Sequence, residues 1–184
     1  IPDKKAGIRV QSEGEEWRSI RNGPMSKYGV WLLLGTISLL ALFFFVRGRI
    51  RIESGRTGRS VLRFGMFERV VHWTVAGSFV LLAVTGLNLL YGRYLFKSWF
   101  GADTFAMMTM LGKYIHNYVG LLFILGLGLM FIVWCRQNLP SRIDLSWLAQ
   151  GGGMLKRGVH PPAKKFNAGQ KIVFAAVIIG GTLL

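Results

Sequence analysis

The sequence predicts an all-α integral membrane protein whose helices pack as a bundle. Three observations support this fold class: 52% of the 184 residues are hydrophobic, long apolar runs carry almost no charge, and the basic residues cluster between these runs. About 20 helical residues cross a hydrocarbon layer about 30 Å thick, and soluble domains rarely contain runs of this length. Membrane-spanning helices therefore explain the pattern.

The predicted helices follow four apolar runs. The first run contains no charged residue, and the second and third each contain one histidine, His72 and His116. The fourth has 13 residues, which is too short for a helix that crosses a bilayer. We therefore expect the chain to be the front part of a longer protein with more helices. The four runs span residues 28–46, 70–91, 115–135 and 172–184.

Basic residues between the runs predict the orientation of the chain. The links 47–69 and 136–171 each carry seven Lys or Arg residues, whereas the link 92–114 carries three. Because cytoplasmic loops are enriched in Lys and Arg, the two more basic links are expected in the cytoplasm of a bacterium. The chain then crosses the inner membrane several times with its N-terminus in the periplasm. The predicted parts are a periplasmic tail 1–27, an extra transmembrane helix 28–46, a cytoplasmic link 47–69, and a bundle 70–184 with a cytoplasmic loop 136–171.

Composition excludes several other classes of protein and site. The net charge of +15 comes from residues that flank the apolar runs, so we expect membrane lipid and no nucleic acid as a partner. The single cysteine, Cys135, excludes an internal disulfide, a four-cysteine zinc site and a self-contained iron–sulfur cluster, and is interpreted as a packing residue. The sequence has no Cys-x-x-Cys-His motif, which excludes covalently attached haem.

The histidines His72 and His116 lie about one turn inside the cytoplasmic and periplasmic ends of their predicted helices. The 18 residues from His72 to Leu90 rise by about 27 Å, so the two imidazoles cannot bind one metal ion. If both are ligands, they belong to two sites stacked across the membrane, and each site needs a second ligand. The alternative is that they are amphipathic anchors at the membrane interface. Ionisable residues within spanning segments more often face the bundle interior and carry function.

Haem iron fits such histidines better than zinc or copper, because a b-type haem takes one imidazole from each of two helices. Gly112 and Gly120 share a helix face with His116 and leave the space that a flat macrocycle needs. Glycines at this spacing also serve plain helix packing. Arg69 could pair with a haem propionate near His72 or act only as a positive-inside charge. The residues alone leave these alternatives open.

The second cytoplasmic link contains a predicted short amphipathic helix within residues 138–153. Asp144 or Ser146 is expected near its cap, and glycines end it. Asn167 is a suitable N-cap for the fourth helix. His160 is interpreted as a solvated loop histidine.

Three stretches resemble the gamma (cytochrome b) subunit of membrane-bound respiratory formate dehydrogenases: RVVHWTVAGSFVLLAVTGLNLL, GKYIHNYVGLLFILGLGLMFIVWCRQNLP and FNAGQK. The resemblance covers about residues 63–184, and FNAGQK is its most specific motif. Residues 1–62, with IPDKK, EEWRSIRNG and VRGRIRIESG, resemble an extended version of that subunit with an extra leading helix. Cytochromes b of hydrogenases and thiosulfate reductases are similar around the histidine–tryptophan pair.

The resemblance implies a four-helix bundle, here incomplete at its C-terminus, with two b-type haems, one near each membrane face. It makes His72 a ligand of the cytoplasmic-side haem iron and His116 a ligand of the periplasmic-side one, with the partner histidines on a last helix beyond this sequence. It also implies a site for menaquinone or ubiquinone at Asn167, Gly169 and Gln170. Without the resemblance, Asn167 would only cap a helix and Gly169 would only permit a turn.

The function implied by the resemblance is that of an electron-transfer subunit of a formate dehydrogenase complex. A separate molybdenum- or tungsten-containing subunit would oxidise formate, and a ferredoxin-like iron–sulfur subunit would pass the electrons to haem and on to quinone. The chain has no catalytic residues for formate itself and contributes cofactor binding. The alternatives are the cytochrome b of a hydrogenase or another molybdoenzyme, and a haem-free membrane anchor.

Overall fold

The structure is a computed structural model that describes residues 12–50, 58, 60–154 and 158–183. All regular secondary structure within these residues is helical, which confirms the predicted all-α fold class. The predicted tail and first cytoplasmic link lie partly outside the described residues, at 1–11, 51–57 and 59. The α-helices are α1 (Ser12–Ile20), α2 (Ser26–Arg47), α3 (Met66–Leu95), α4 (Lys97–Phe100), α5 (Ala102–Trp134), α6 (Arg142–Ala149) and α7 (Ala168–Leu183).

Three helical segments are long and apolar enough to cross a membrane: Gly14–Arg47, Met66–Leu95 and Ala102–Trp134. The first comprises most of α1 and all of α2, which are joined by the π-helical turn Arg21–Met25. The first and third segments begin 14 and 13 residues before the predicted apolar runs, and the second extends four residues beyond its run at each end. Only Phe96, the short α4 and Gly101 lie between α3 and α5, so most of the link 92–114 is helical.

The core lies between α3 and α5, which pack antiparallel. Val75 of α3 faces Gly126 of α5 near one end of the pair, and Thr85 faces His116 further along. A Cβ on Gly126 would lie 2.9 Å from Cγ2 of Val75, so this glycine allows the close approach of the two backbones. The buried apolar cluster consists of Val71, Val75, Phe123, Leu127, Met130 and Trp134.

Helix α2 is attached to the rest of the structure mainly at its two ends. At its start, the Tyr91 hydroxyl of α3 donates a hydrogen bond to the Ser26 carbonyl at 2.9 Å. At its end, Nε of Arg47 donates to the Met154 carbonyl at 2.6 Å. None of the residues of α2 is buried, as expected for a helix whose sides face lipid. The contact with Tyr91 places the start of α2 beside the end of α3.

The loop between α5 and α7 closes back onto the start of α3. The aromatic rings of Phe64, Trp134 and Phe166 pack edge-to-face or tilted, with centroids 5.8–6.3 Å apart. The short helix α6 has Ser141 as its N-cap, three residues before Asp144 and five before Ser146. The Asp144 carboxylate accepts hydrogen bonds from both the backbone N–H and the hydroxyl of Ser141, which stabilises this cap. The predicted glycines follow as the 3₁₀ turn Gly151–Gly153.

Candidate functional site

His116 lies on α5, where its imidazole packs against α3. Its Nδ1 atom is 2.8 Å from the Thr85 hydroxyl oxygen, which is also 2.7 Å from the carbonyl oxygen of Leu81 one turn earlier. Thr85 is buried, with 8% of its surface exposed, and His116 is half-buried. Nε2 of His116 makes no hydrogen bond to any described residue. One ring nitrogen is therefore fixed by the bundle, and the other is available to a ligand.

Gly86 of α3 lies against the His116 ring, and the predicted glycines Gly112 and Gly120 lie one turn before and after His116 on α5. A Cβ on Gly86 would lie 3.3 Å from Cε1 of His116, so the ring rests directly on the α3 backbone. A Cβ on Gly112, one turn before His116, would lie 3.5 Å from Nδ2 of Asn88. A Cβ on Gly120, one turn after His116, would meet no atom within 4 Å. The ring is tightly packed toward α3, and open space remains beside Gly120.

Asn88 is a polar residue at the His116 level that sequence reasoning missed. It lies one turn after Thr85 on α3, and its Oδ1 atom is buried without a hydrogen-bond partner among the described residues. Oδ1 sits against Gly92, where a Cβ would approach it to 2.3 Å. A buried polar atom without a partner is costly, so a group absent from the described chain is expected to satisfy it.

His72 has a different environment on the same helix. Its side chain is exposed, its ring packs edge-on against Trp73 at 5.3 Å between centroids, and it makes no hydrogen bond within the described part of the chain. His72 lies 13 residues before Thr85, which corresponds to an axial rise of about 20 Å along α3. The structure therefore separates His72 from His116 too widely for one shared metal ion.

Arg69 lies one turn before His72 and is exposed. It lines a shallow groove of about 620 Å³ together with Met66, Val70, Trp73 and Thr74, and His72 is not part of this lining. Residues three apart on a helix are neighbours, so Arg69 stands beside His72 on the helix surface.

The described residues contain no group of three or more His, Cys, Asp or Glu side chains that could hold a metal ion. A porphyrin supplies the four equatorial nitrogens of haem iron, so the protein needs to provide only axial imidazoles. His116 fits this requirement because Nε2 is available, Nδ1 is within hydrogen-bonding distance of Thr85, and glycines lie one turn before and after it on α5. His72 is accessible to a haem, but no described residue orients its ring.

Asn167 and Gln170 form a reciprocal cap at the start of α7. The Gln170 N–H donates to Oδ1 of Asn167 at 2.8 Å, which confirms Asn167 as the N-cap, and the Asn167 N–H donates to Oε1 of Gln170 at 3.1 Å. Arg63 also donates to Oε1 of Gln170, at 3.1 Å, and to the Lys165 carbonyl. Both amide oxygens are thus engaged, and both amide NH₂ groups stay available as donors.

Gly169 lies under the indole ring of Trp147. A Cβ on Gly169 would approach Cη2 of this tryptophan to 3.0 Å, so the glycine makes room for α6 rather than for a turn. A Cβ on Gly152 would approach the same ring to 2.5 Å. Trp147 was not singled out from the sequence, because hydropathy patterns do not show which loop residue returns to cover a helix start.

Two ion pairs fix this loop. The Glu68 carboxylate of α3 accepts hydrogen bonds from Nζ of Lys165 and from Nε1 of Trp134, the latter at 2.7 Å. Glu68 lies one turn before His72, so this contact brings the segment leading to Asn167 close to the His72 end of α3. The cytoplasmic-side residues that the sequence predicts as a site are therefore collected at one end of the bundle.

The second ion pair joins Lys171 of α7 to Asp144 of α6 at 2.7 Å. Lys171 is buried and also donates to the Leu139 carbonyl at 2.9 Å. The hydrogen bond from Lys171, with further hydrogen bonds from Ser141, holds the pKa of the Asp144 carboxyl below its usual range. His160 is exposed in the same loop, and Cys135 is half-buried at the end of α5.

Comparisons with known proteins identify relatives of this chain. The chain is 30% identical over 122 residues to the nitrate-inducible formate dehydrogenase cytochrome b556(Fdn) subunit of Escherichia coli strain K12, covering 65% of this chain and 54% of that protein. It is also 30% identical over 125 residues to the formate dehydrogenase cytochrome b556(fdo) subunit of the same strain, covering 68% and 57%. The chain thus spans little more than half the length of these curated relatives.

These matches confirm the resemblance to formate dehydrogenase cytochrome b subunits. The sequence profile of the prokaryotic cytochrome b561 family matches residues 63–184, which include both membrane histidines and the Asn167–Gln170 cap. Cytochrome b character implies haem b as the cofactor. Because this profile matches about two thirds of the sequence and the described residues form an all-helical membrane architecture, the chain belongs to the prokaryotic cytochrome b561 family.

Proposed function

We propose that the chain is the membrane electron-transfer subunit of a formate dehydrogenase complex, which passes electrons from an iron–sulfur subunit through two b-type haems to quinone. The main observation that supports the proposal is the state of the His116 imidazole. Its Nδ1 atom is within hydrogen-bonding distance of the Thr85 hydroxyl, and its Nε2 atom is available to a ligand. The names of the curated relatives support the choice of complex.

His116 is proposed to bind the iron of the periplasmic-side haem through Nε2. Haem iron cycles between ferric and ferrous forms and so carries one electron at a time. Gly86, Gly112 and Gly120 keep large side chains away from the ring, and the packed α3–α5 pair holds the ligand rigidly. Each haem also needs a second axial ligand, which the described histidines do not complete, because the third of them, His160, lies exposed in a loop.

His72 is proposed to bind the cytoplasmic-side haem iron, with Arg69 beside it as a partner for a propionate. The axial rise of about 20 Å between His72 and the His116 level supports two separate haems at different depths. The exposed His72 side chain leaves room for a macrocycle on this face of α3. Arg69 has no ion-pair partner among the described residues, so its charge is available to a carboxylate.

The reciprocal cap at the start of α7 is proposed as part of the quinone site. A quinone carbonyl requires hydrogen-bond donors, and the NH₂ groups of Asn167 and Gln170 are donors whose orientation is set because their oxygens are engaged in the cap. Gly169 contributes by letting Trp147 cover the loop, which excludes water from one side. The Glu68–Lys165 contact supports a location beside the His72 haem.

The orientation is proposed to follow the distribution of basic residues, with the N-terminus in the periplasm of a bacterial inner membrane. The iron–sulfur subunit and the molybdenum- or tungsten-containing catalytic subunit would then bind at the His116 end. Electrons would leave at the opposite end, and quinone would take its protons from the cytoplasm. Formate oxidation and quinone reduction would lie on opposite sides of the membrane, which makes the reaction electrogenic.

The test is a purified complex that contains the full-length subunit. We expect a b-type α-band that appears with formate and disappears when quinone is added. The His116→Ala variant is expected to lose the periplasmic-side haem and formate-to-quinone activity but to keep formate-to-dye activity. His160→Ala replaces an exposed loop histidine and is the matched control.

Three outcomes would contradict the proposal or its assignment of His116. A complex that lacks haem altogether would identify the chain as a membrane anchor. Reduction of the haem by hydrogen or another donor, with no response to formate, would assign it to a hydrogenase or a different molybdoenzyme. If His116→Ala keeps full haem content and quinone activity, His116 is not an iron ligand.

A further inference from the structure

We infer that Thr85 is the positioning residue for His116, and that its hydroxyl fixes the imidazole in the tautomer that presents Nε2 to the iron. The inference rests on the proposed role of His116 as a haem ligand. It adds a residue that neither the helix pattern nor the histidine pair indicates.

The direction of the hydrogen bond follows from counting protons. A threonine hydroxyl has one proton, and a carbonyl oxygen can only accept. Thr85 donates this proton to the Leu81 carbonyl at 2.7 Å, the usual i to i−4 bond of a threonine within a helix. The 2.8 Å contact with Nδ1 of His116 is then a hydrogen bond only if Nδ1 carries the proton and the hydroxyl oxygen accepts it.

The tautomer of the neutral ring is thereby determined. A neutral imidazole carries one proton, so a proton on Nδ1 leaves the lone pair on Nε2. Ligand histidines in metal sites typically donate their second N–H to a fixed oxygen, which sets both the tautomer and the ring orientation. Thr85 provides such an oxygen to His116.

Thr85 is held firmly enough to act in this way. It is buried in the α3–α5 interface, its hydroxyl is anchored to Leu81, and its branched side chain restricts rotation about χ1. The next residue, Gly86, lies beside the same ring, since a Cβ placed there would be 3.3 Å from Cε1 of His116. The ring is thus positioned by a hydrogen bond and a backbone surface that belong to one turn of α3.

An oxygen that accepts from Nδ1–H makes the imidazole a stronger electron donor, because it increases the negative charge on the ring. A stronger donor stabilises ferric over ferrous iron. Removal of the hydroxyl should therefore weaken haem retention and raise the midpoint potential of the haem that His116 binds. A tenfold loss of ferric preference corresponds to a rise of about 59 mV for this one-electron couple.

The experiment compares Thr85→Val with Thr85→Ser in the purified complex that contains the full-length subunit. Redox titration and low-temperature EPR report on each haem separately, and neither depends on turnover. Thr85→Val is expected to raise the potential of the periplasmic-side haem and to shift its ferric EPR signal. Thr85→Ser retains the hydroxyl and is expected to match the unmodified protein.

The matched control is Thr109→Val. Thr109 lies on α5, is half-buried and donates to the Phe105 carbonyl at 2.8 Å, but it does not contact His116. It should leave both haem potentials unchanged. If Thr85→Val does not accumulate, Thr85→Ala removes the same hydroxyl with less bulk and should give the same rise in potential.

The outcomes separate this inference from the proposed function. If His116→Ala loses a haem while Thr85→Val and Thr85→Ala keep the potential and EPR signal of the unmodified protein, His116 is a ligand and the role of Thr85 is wrong. If His116→Ala keeps both haems, the ligand assignment itself fails. A change of equal size in Thr85→Ser and Thr85→Val would also contradict the inference, because the hydroxyl would then not be the cause.

Discussion

The two ends of α3 differ in how they are built. At the His116 end, two helices meet directly, one hydrogen bond and one glycine position the ring, and no ion pair contributes. At the His72 end, the histidine is exposed, and the order comes from a loop held by charged and amide side chains. Within the described residues, the packing of α3 against α5 therefore positions the side chain at the His116 end. At the His72 end, the candidate site residues lie around an exposed face of α3.

The difference predicts that substitutions act on one end at a time. Energetic effects of residues more than about 10 Å apart, without shared partners, usually add. The axial distance of about 20 Å between His72 and the His116 level satisfies this condition. Each variant below is therefore expected to change one end and to leave the other as an internal reference.

The largest expected effect comes from Gly86→Leu at the His116 end. A Cβ alone would already approach Cε1 of His116 to 3.3 Å, so a leucine must displace the ring. A displacement of about 1 Å at a reacting centre can cost roughly 100-fold in rate. We expect loss of the His116 haem and a fall of roughly this size in formate-to-quinone activity.

Haem content and difference spectra of the purified complex measure this effect. The control is Gly77→Leu on the same helix, where the glycine is exposed and a Cβ would meet no atom within 4 Å. The His72 haem should persist in both variants. Loss of both haems in Gly86→Leu but not in Gly77→Leu would show that the two ends are coupled.

An intermediate effect is expected from Asn167→Asp at the His72 end of the bundle. An aspartate keeps the oxygen that caps α7, and its negative charge is favourable at a helix N-terminus. It removes the NH₂ donor proposed for the quinone carbonyl. Loss of one hydrogen bond of about 1.4 kcal/mol should raise the KM for quinone about tenfold, with the haem spectra unchanged.

Steady-state kinetics with a short-chain quinone measure this change, and thermal unfolding reports whether the cap is intact. Gln137→Glu adds the same charge at an exposed position of this end and is the control. An unchanged KM in Asn167→Asp would remove this residue from the quinone site. A large loss of thermal stability would instead mean that the cap was disrupted.

The smallest expected effect concerns pH and the Asp144–Lys171 ion pair. Because the pKa of Asp144 is lowered in the folded protein, the pair contributes stability above the usual carboxyl pKa of about 4, and the contribution is lost as pH falls through the folded pKa. Asp144→Asn should lower the Tm by about 2 °C at pH 7, and the difference should vanish at low pH.

Thermal unfolding of the detergent-solubilised complex between pH 7 and 3 tests this expectation. Asp103→Asn replaces an exposed carboxylate at the opposite end and should show no such pH-dependent difference. A Tm difference for Asp144→Asn that stays constant with pH would mean that the ion pair is not its source. The haem bound by His116 should be unaffected in either variant.

The sequence predicts the helices well, because long apolar runs and basic links follow directly from the physics of the bilayer. It also predicts that glycines accompany His116, because spacing along one helix can be read from the chain. Asn167 as a helix cap is a local feature and is confirmed. Sequence patterns therefore predict the features that depend only on residues close together along a single helix.

The contacts between elements could not be predicted in the same way. Thr85 faces His116 only because α3 and α5 pack in one particular register, which an almost uniformly apolar pattern does not specify. Two further contacts depend on how the loop between α5 and α7 packs against the bundle. These are the packing of Trp147 on Gly169 and the ion pair between Lys165 and Glu68. A threonine–glycine pair within an apolar run was the available signal for Thr85, since polar residues there usually have a partner.

The unbroken helix Gly14–Arg47 has a mechanical consequence. Since Ser26 lies beside Tyr91 near the end of α3, the 12 residues from Gly14 to Met25 extend about 18 Å further along the axis. Within this segment, Glu15 and Arg18 form an ion pair at 2.8 Å. A subunit bound beside Ser26 would therefore meet this helical segment as well as the end of α3.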